Sequence, residues 1–318
     1  MRVSSGFRAA TAAVGLSVAA TLTLSACGSD TTGDGTLTVV ASTNVWGSVA
    51  QAVAGDKVDV TSIVTEPSSD PHSFEASPAD AAKLTDASLI VYNGGGYDHF
   101  VDDIIGTGNS DQLTVNAFDL LQGGAHEGED EHAAGGDSHE GHDHGDVNEH
   151  VWFDVDTVDA TAQSIADKLG QLDPDNADAY KANAAAFHGQ LEQISTITDG
   201  IAAAHPGAPV AQTEPIAHYL LQSAGLKDVT PPDFTSAIEN GNDPAPAAIA
   251  ATRQLLTDKQ VQALVYNVQT QDRVTQDVRA TAESAGIPVV EVTETLPEGL
   301  DYIQWQTNTA ESLAAALQ

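Results

Sequence analysis

The chain has 318 residues, long enough for two domains with a substantial buried core. It carries 46 Asp plus Glu against 11 Lys plus Arg, which gives a formal net charge of -35. Nucleic-acid binding depends on clustered Lys and Arg that neutralise phosphates, so this balance excludes a nucleic-acid partner. A single cysteine, Cys27, excludes an intrachain disulfide.

The first residues follow the pattern of an export signal. Arg2 and Arg8 are followed by an apolar run over 9–24 and by small residues before Cys27. A basic start, a short apolar region and a small-residue cleavage site are typical of a secretory signal peptide, here residues 1–26. The ending resembles a bacterial lipobox. We therefore expect a lipid anchor on Cys27, a flexible Gly/Ser/Thr/Asp tether over 27–35 and a protein held at the outer face of the membrane.

From residue 36 onward, short apolar strands alternate with helical stretches. The pattern predicts strands at 37–42, 58–64 and 89–93, and helices at 45–55 and from Pro78. Repeated strand–helix order is typical of a parallel sheet covered by helices. Residues 36–174 are thus predicted to form an N-terminal α/β lobe.

The same alternation returns late in the chain. A strand begins at Val210, and further segments are predicted as helix 248–256, strand 261–268, helix 274–286, strand 288–292 and helix 308–317. Residues 175–204 are rich in Ala, Gln and Leu and lack Pro, which predicts one long rigid helix between the lobes. The predicted fold is α/β, with two Rossmann-like parallel-sheet lobes, the second at 205–318. Ligands would bind between them, where strand C-terminal ends face each other.

Residues 123–148 differ from the rest of the chain. The segment has no hydrophobic periodicity and is rich in Gly and acidic residues, so we expect a mobile loop. Imidazole and carboxylate groups are ligands for borderline divalent ions, and weak auxiliary metal binding is the functional interpretation. A solvated polar insertion is the alternative. The histidines concerned are His126, His132, His139, His142 and His144.

Two further histidines are candidate ligands, one after a predicted strand and the other directly after that loop. His72 lies in the segment DPHSFEASPAD at 70–80, and His150 lies in NEHVWFD at 148–154. With TEPIAHYLLQSAGL at 213–226, these segments make the chain similar to the metal-binding solute receptors of zinc and manganese ABC importers, the cluster A-I binding proteins. The resemblance covers essentially all of the chain after the signal and implies a metal site in the cleft between two lobes joined by a long helix.

The resemblance also implies a ligand set. His72 and His150 match the two ligands of the first lobe, and Glu214 matches the third, a position that is His in many zinc receptors and Glu in many manganese receptors. His218 is the alternative third ligand. The fourth position falls near Asp272, for which a surface ion pair is the alternative.

Asp154 is a candidate for holding the other ring nitrogen of His150, because ligating histidines usually donate to a carboxylate or carbonyl.

The predicted function is an extracytoplasmic, non-enzymatic receptor that delivers Zn²⁺ to an ABC importer. Its partners would be a membrane permease and a separate ATPase, and the receptor itself would be a monomer. A manganese receptor of the same family is one alternative, suggested by Glu214. A secreted zinc hydrolase with Glu75 or Glu149 as general base is another, although no His-Glu-x-x-His motif is present.

Overall fold

The structure is a computed structural model that describes residues 37–66, 71–107, 112–121 and 147–318. The first half contains a parallel sheet with strand order β2–β1–β3–β4. Its strands are β1 (Thr38–Thr43), β2 (Asp59–Val64), β3 (Leu89–Tyr92) and β4 (Leu113–Asn116). The helices of this half are α1 (Asn44–Ala54), α2 (Pro78–Asp86), α3 (His99–Thr107) and α4 (Val155–Leu172).

Helix α5 (Ala177–Ala204) connects the two halves. Its 28 residues correspond to about 42 Å at 1.5 Å per residue. The buried side chains recur every three or four positions, which gives one apolar stripe. They are Tyr180, Ala184, Phe187, Leu191, Ile194, Thr198 and Ile201. The stripe packs against α4 and α1 of the first half and against the C-terminal helix, so the long helix predicted at 175–204 is confirmed as a structural spine.

The second half repeats the first. Its parallel sheet has the order β6–β5–β7–β8, formed by β5 (Pro209–Gln212), β6 (Lys227–Asp228), β7 (Leu264–Asn267) and β8 (Val289–Val292). The helices are α6 (His218–Ser223), α7 (Pro232–Glu239), α8 (Pro246–Thr257), α9 (Arg273–Ala285) and α10 (Tyr302–Ala316). Two parallel four-stranded sheets with flanking helices confirm the predicted two-lobe α/β class.

The C-terminal segment returns to the first half. Leu296 and Asn44 exchange two hydrogen bonds, in which the Leu296 backbone N–H donates over 3.0 Å and the Asn44 side chain donates over 3.1 Å. Tyr302 at the start of α10 donates its hydroxyl to the carbonyl of Trp152 over 2.7 Å. Trp305 packs against Phe153 with ring centroids 5.7 Å apart.

One apolar cluster therefore includes side chains from both sheets, from α5 and from α10. Because buried apolar surface is shared across the two halves, relative motion of the sheets is limited by packing. Among the described residues, no helix combines the length and the apolar composition needed to cross a membrane.

Candidate metal centre

His72 is placed by a short 3₁₀ turn, Pro71–Ser73, which follows β2. Its side chain is 22% exposed. Nδ1 lies 3.4 Å from Oε1 of Glu149, and Nε2 lies 3.9 Å from Oε2 of Glu294. The ring stands edge-on to Tyr97, with centroids 4.8 Å apart. His72 thus contacts carboxylates from both halves of the molecule.

His150 is fully buried and immediately precedes the 3₁₀ turn Val151–Phe153. Its ring packs edge-on against Trp152 at 5.1 Å. Nδ1 lies 3.1 Å from Oδ1 of Asn148, which also accepts the His150 backbone N–H over 2.9 Å. Since an amide oxygen only accepts, this contact favours the tautomer in which Nδ1 of His150 carries the proton.

Glu149 lies beside the two histidines. His72, Glu149 and His150 each offer a ligand atom within 4.8 Å of the other two, and we call these three residues the N-terminal face of the site. Burial raises the pKa of Glu149 to about 7, and the charge of Asp98 adds to the shift. From the sequence, Glu149 is a candidate only for the base of a hydrolase, because a glutamate beside a ligating histidine has no motif of its own.

The turn after β3 supports this face. Gly94 has a φ of +74°, and a Cβ there would lie 2.0 Å from Oδ1 of Asn116, so only glycine fits. The N–H groups of Asn93 and Gly94 both donate to the buried carboxylate of Asp98, over 2.7 and 2.9 Å. This turn presents Tyr97, whose hydroxyl donates to Oε2 of Glu294 over 3.3 Å.

The opposite side lies at the C-terminal ends of three parallel strands. Glu214 follows β5, Asn267 ends β7 and Glu294 follows β8, and we call these three residues the C-terminal face. Nδ2 of Asn267 donates to both carboxylates, to Oε1 of Glu294 over 2.8 Å and to Oε2 of Glu214. The hydroxyl of Thr270 also donates to Glu214. All three residues of this face are buried.

A further carboxyl group responds electrostatically to both faces. Glu239, at the end of α7, has its pKa raised to about 8 by burial and by the charges of Glu149 and Glu214. Carboxylates held this close attract divalent cations and repel anions. Two imidazoles and several carboxylates form an N/O donor set suited to zinc and to other divalent first-row metals.

The predicted ligands are not all brought together. His72, His150 and Glu214 line the two faces, whereas Asp272 caps α9 in a reciprocal box with Thr275. The carboxylate that the second half presents to His72 is Glu294, which was not among the predicted ligands although it follows the last predicted strand. His218 begins α6, where it is exposed and its ring lies 4.9 Å from that of Tyr219.

Asp154 also has another task. Its Oδ1 accepts the backbone N–H groups of Asp156 and Thr157 over 3.0 and 3.2 Å and so caps α4. The partner of the His150 ring is Asn148 instead. Cys27 and the five loop histidines lie outside the described residues, as does most of the segment 123–148.

The chain is similar to metal-binding components of ABC transporters. The sequence matches the model of a family described as "Zinc-uptake complex component A periplasmic" over residues 39–316. It is 31% identical over 183 residues to the manganese ABC transporter substrate-binding lipoprotein PsaA of Streptococcus pneumoniae serotype 4, covering 54% of each chain. It is 30% identical over 190 residues to the iron ABC transporter substrate-binding lipoprotein MtsA of Streptococcus pyogenes serotype M1, covering 56% of each.

The chain thus spans about half the length of these curated relatives. Among solved structures, the periplasmic zinc-binding protein TroA of Treponema pallidum has a TM-score of 0.72 at 16% identity, covering 89% of this chain and 99% of that one. FpvC of Pseudomonas aeruginosa, solved with Mn²⁺, has a TM-score of 0.68 at 19% identity, covering 89% and 99%. At these identities the likeness establishes the fold.

Proposed function

Because this chain belongs to the zinc-uptake complex component A family, we propose that it is the extracytoplasmic receptor of an ABC-type importer and that its cargo is Zn²⁺. The family and the similar proteins are substrate-binding components and not enzymes. The zinc hydrolase considered from the sequence therefore has no support.

One observation carries the proposal. Histidines from turns of the first half and carboxylates from strand ends of the second half meet at the same place, with Nε2 of His72 only 3.9 Å from Glu294. The ligand atoms of an ion with bonds of about 2.0–2.2 Å lie three to four ångströms apart. Glu214 is tied to Glu294 through Asn267. We therefore assign His72, His150, Glu214 and Glu294 as the ligands of the cargo ion.

Zinc is favoured by the two imidazoles and by the His-rich segment 123–148, since imidazole suits zinc better than it suits manganese. A manganese receptor is the second candidate. It is favoured by the carboxylates that occupy both C-terminal-face ligand positions, because oxygen donors suit Mn²⁺.

The remaining parts of the proposal follow from the family and the N-terminal sequence. Delivery requires a membrane permease and a separate ATPase, as expected for a substrate-binding component. Lipidation of Cys27 would hold the receptor at the outer face of the membrane. We also expect the receptor to be a monomer.

Calorimetric titration of the metal-free protein with Zn²⁺ and separately with Mn²⁺ tests the proposal. We expect one tight zinc site, abolished by His72→Ala. The matched control is His188→Ala, which removes an exposed histidine of α5 that lies 3.1 Å from Asp159 of α4. It should leave the tight site unchanged. Tight manganese binding with loose zinc binding would move the function to manganese uptake, and no tight site for either ion would refute the receptor.

A further inference from the structure

The two ring nitrogens of His72 face different carboxylates. Nδ1 lies 3.4 Å from Glu149 on the N-terminal face, and Nε2 lies 3.9 Å from Glu294 on the C-terminal face. The two nitrogens of an imidazole point away from each other, so one ion can bind only one of them. Only one of Glu149 and Glu294 can therefore lie beside the nitrogen that binds the ion. The other carboxylate faces the ring nitrogen that does not bind it.

His150 shows which nitrogen is left for the ion. Its Nδ1 lies 3.1 Å from Oδ1 of Asn148, an oxygen that can only accept. In both histidines, then, Nδ1 faces an oxygen of the adjacent residues Asn148 and Glu149. In both rings we therefore expect the ion to bind Nε2, and for His72 that nitrogen is on the side of Glu294.

We propose that Glu149 is a positioning residue that accepts the Nδ1–H of His72 and so fixes the tautomer and orientation in which Nε2 binds the cargo ion; its effect on metal affinity rests on the proposed function. A carboxylate on the far nitrogen of a ligating histidine orients the ring and raises its basicity. Asn148 supports His150 in the same way with a neutral oxygen. One short segment thereby orients both histidines, which come from distant parts of the chain.

Glu149 is itself held firmly enough for this task. Glu149 is buried, with only 4% of its surface exposed. Its backbone carbonyl accepts Nδ2 of Asn93 over 2.8 Å and the N–H of Val151 over 2.7 Å. Asn93 is fixed in turn, because its Oδ1 accepts the indole N–H of Trp46 over 3.2 Å. These bonds involve the Glu149 backbone, so replacing the side chain leaves them in place.

The direct test reads the tautomer of His72 in the metal-free full chain. Two-bond ¹H–¹⁵N correlation spectra of ¹⁵N-histidine-labelled protein distinguish Nδ1–H from Nε2–H rings, and the His72→Ala spectrum identifies the His72 signal. We expect the Nδ1–H form in the wild type and in Glu149→Gln, whose amide oxygen still accepts. In Glu149→Ala we expect a shift to the Nε2–H form that free imidazole favours.

Metal affinity gives the second readout. Loss of such a partner costs about 10- to 100-fold in affinity. We expect this loss in Glu149→Ala and a smaller one in Glu149→Gln, which removes the charge but keeps the acceptor. Glu239→Gln is the matched control, since it replaces another carboxyl group whose pKa responds to the charge of Glu149, and it should cost less than Glu149→Ala. Equal losses in all three variants would reduce the role of Glu149 to electrostatics and overturn the proposal.

Two other results would overturn it. One is an unchanged His72 tautomer in Glu149→Ala. The other is an X-ray absorption spectrum of the zinc-loaded variant that shows one directly bound oxygen fewer than the wild type, because Glu149 would then be a ligand. If the wild type binds no ion tightly, the receptor function fails, yet the tautomer comparison in metal-free protein still tests the positioning role.

Discussion

The two faces of the site are built from different parts and by different means. The N-terminal face supplies nitrogen donors from irregular turns, and each of its histidines has an oxygen beside Nδ1. The C-terminal face supplies oxygen donors from the ends of parallel strands, and one amide, that of Asn267, holds both carboxylates. The first arrangement orients two imidazole rings, whereas the second holds two carboxyl groups close together.

This difference indicates how the energetic cost is divided. Neutral imidazoles packed among aromatic rings cost little to bury, as His150 against Trp152 illustrates. Two buried carboxylates repel each other, and each needs hydrogen bonds to remain charged. We therefore expect the two carboxylates of the C-terminal face to destabilise the metal-free protein, and a divalent ion bound between the faces to offset their repulsion.

The largest expected effect on stability comes from a substitution that disrupts the C-terminal face. Asn267→Asp replaces the shared donor with a third carboxylate, and hydrogen bonds to charged groups contribute about 1.5–3 kcal/mol each. We expect the metal-free protein to lose about 3 kcal/mol of unfolding free energy in urea titrations near pH 8, with much of it restored by a divalent ion.

The control for this variant is Asn183→Asp. Nδ2 of Asn183 donates to a neutral carbonyl, that of Val53, over 3.0 Å. Its replacement should cost clearly less than that of Asn267. Equal losses would show that the two carboxylates of the C-terminal face do not repel each other as the comparison requires.

The two faces also differ in how far the sequence alone predicted them. The strand–helix alternation predicted both parallel sheets, and the absence of proline predicted α5, because these signals are local and repeated. The alternation did not predict strand β4, a segment of four residues of which two are polar (Thr114 and Asn116). It also did not predict helix α4. His72 and His150 came from recognised motifs, whereas the pairing of Glu149 with His72 depends on contacts between distant residues.

The acidic candidates show a more specific limit of prediction from the sequence. Asp154 and Asp272 each precede a helix and are used as N-caps, a local demand readable in the sequence as Asp followed three residues later by Thr. Glu294 follows β8, and the next helix has its own cap in Asp301. A carboxylate at a strand end that no helix requires was the better candidate for a ligand.

The second prediction uses pH to test two buried carboxyl groups, Glu149 of the N-terminal face and Glu239 at the end of α7. The pKa of Glu149 is raised to about 7 and that of Glu239 to about 8, so in this range the folded metal-free protein holds protons that the unfolded chain has released. The free energy of unfolding therefore falls as pH rises from about 4.5 through 8. Urea titrations across this range should show the decline, and the double variant Glu149→Gln, Glu239→Gln should flatten it.

Metal affinity should change with pH in the opposite direction. Ligands must be deprotonated, so affinity should rise with pH and fall below about pH 6.5, the ordinary value of histidine. Affinity that is unchanged between about pH 7.5 and pH 5 would contradict a site whose N-terminal face binds through imidazole.

The smallest effect concerns histidines outside both faces. Deleting residues 124–146 removes five histidines from the sequence but none of the residues of either face. We expect the calorimetric titration to lose its weaker zinc sites and to keep the tight one, because turns and the Asn93 side chain hold the N-terminal face. Slower zinc capture at limiting metal would assign the segment a role in transferring the ion. Loss of the tight site would instead mean that the ligands extend beyond the two faces, and the division of nitrogen and oxygen donors between them would have to be redrawn.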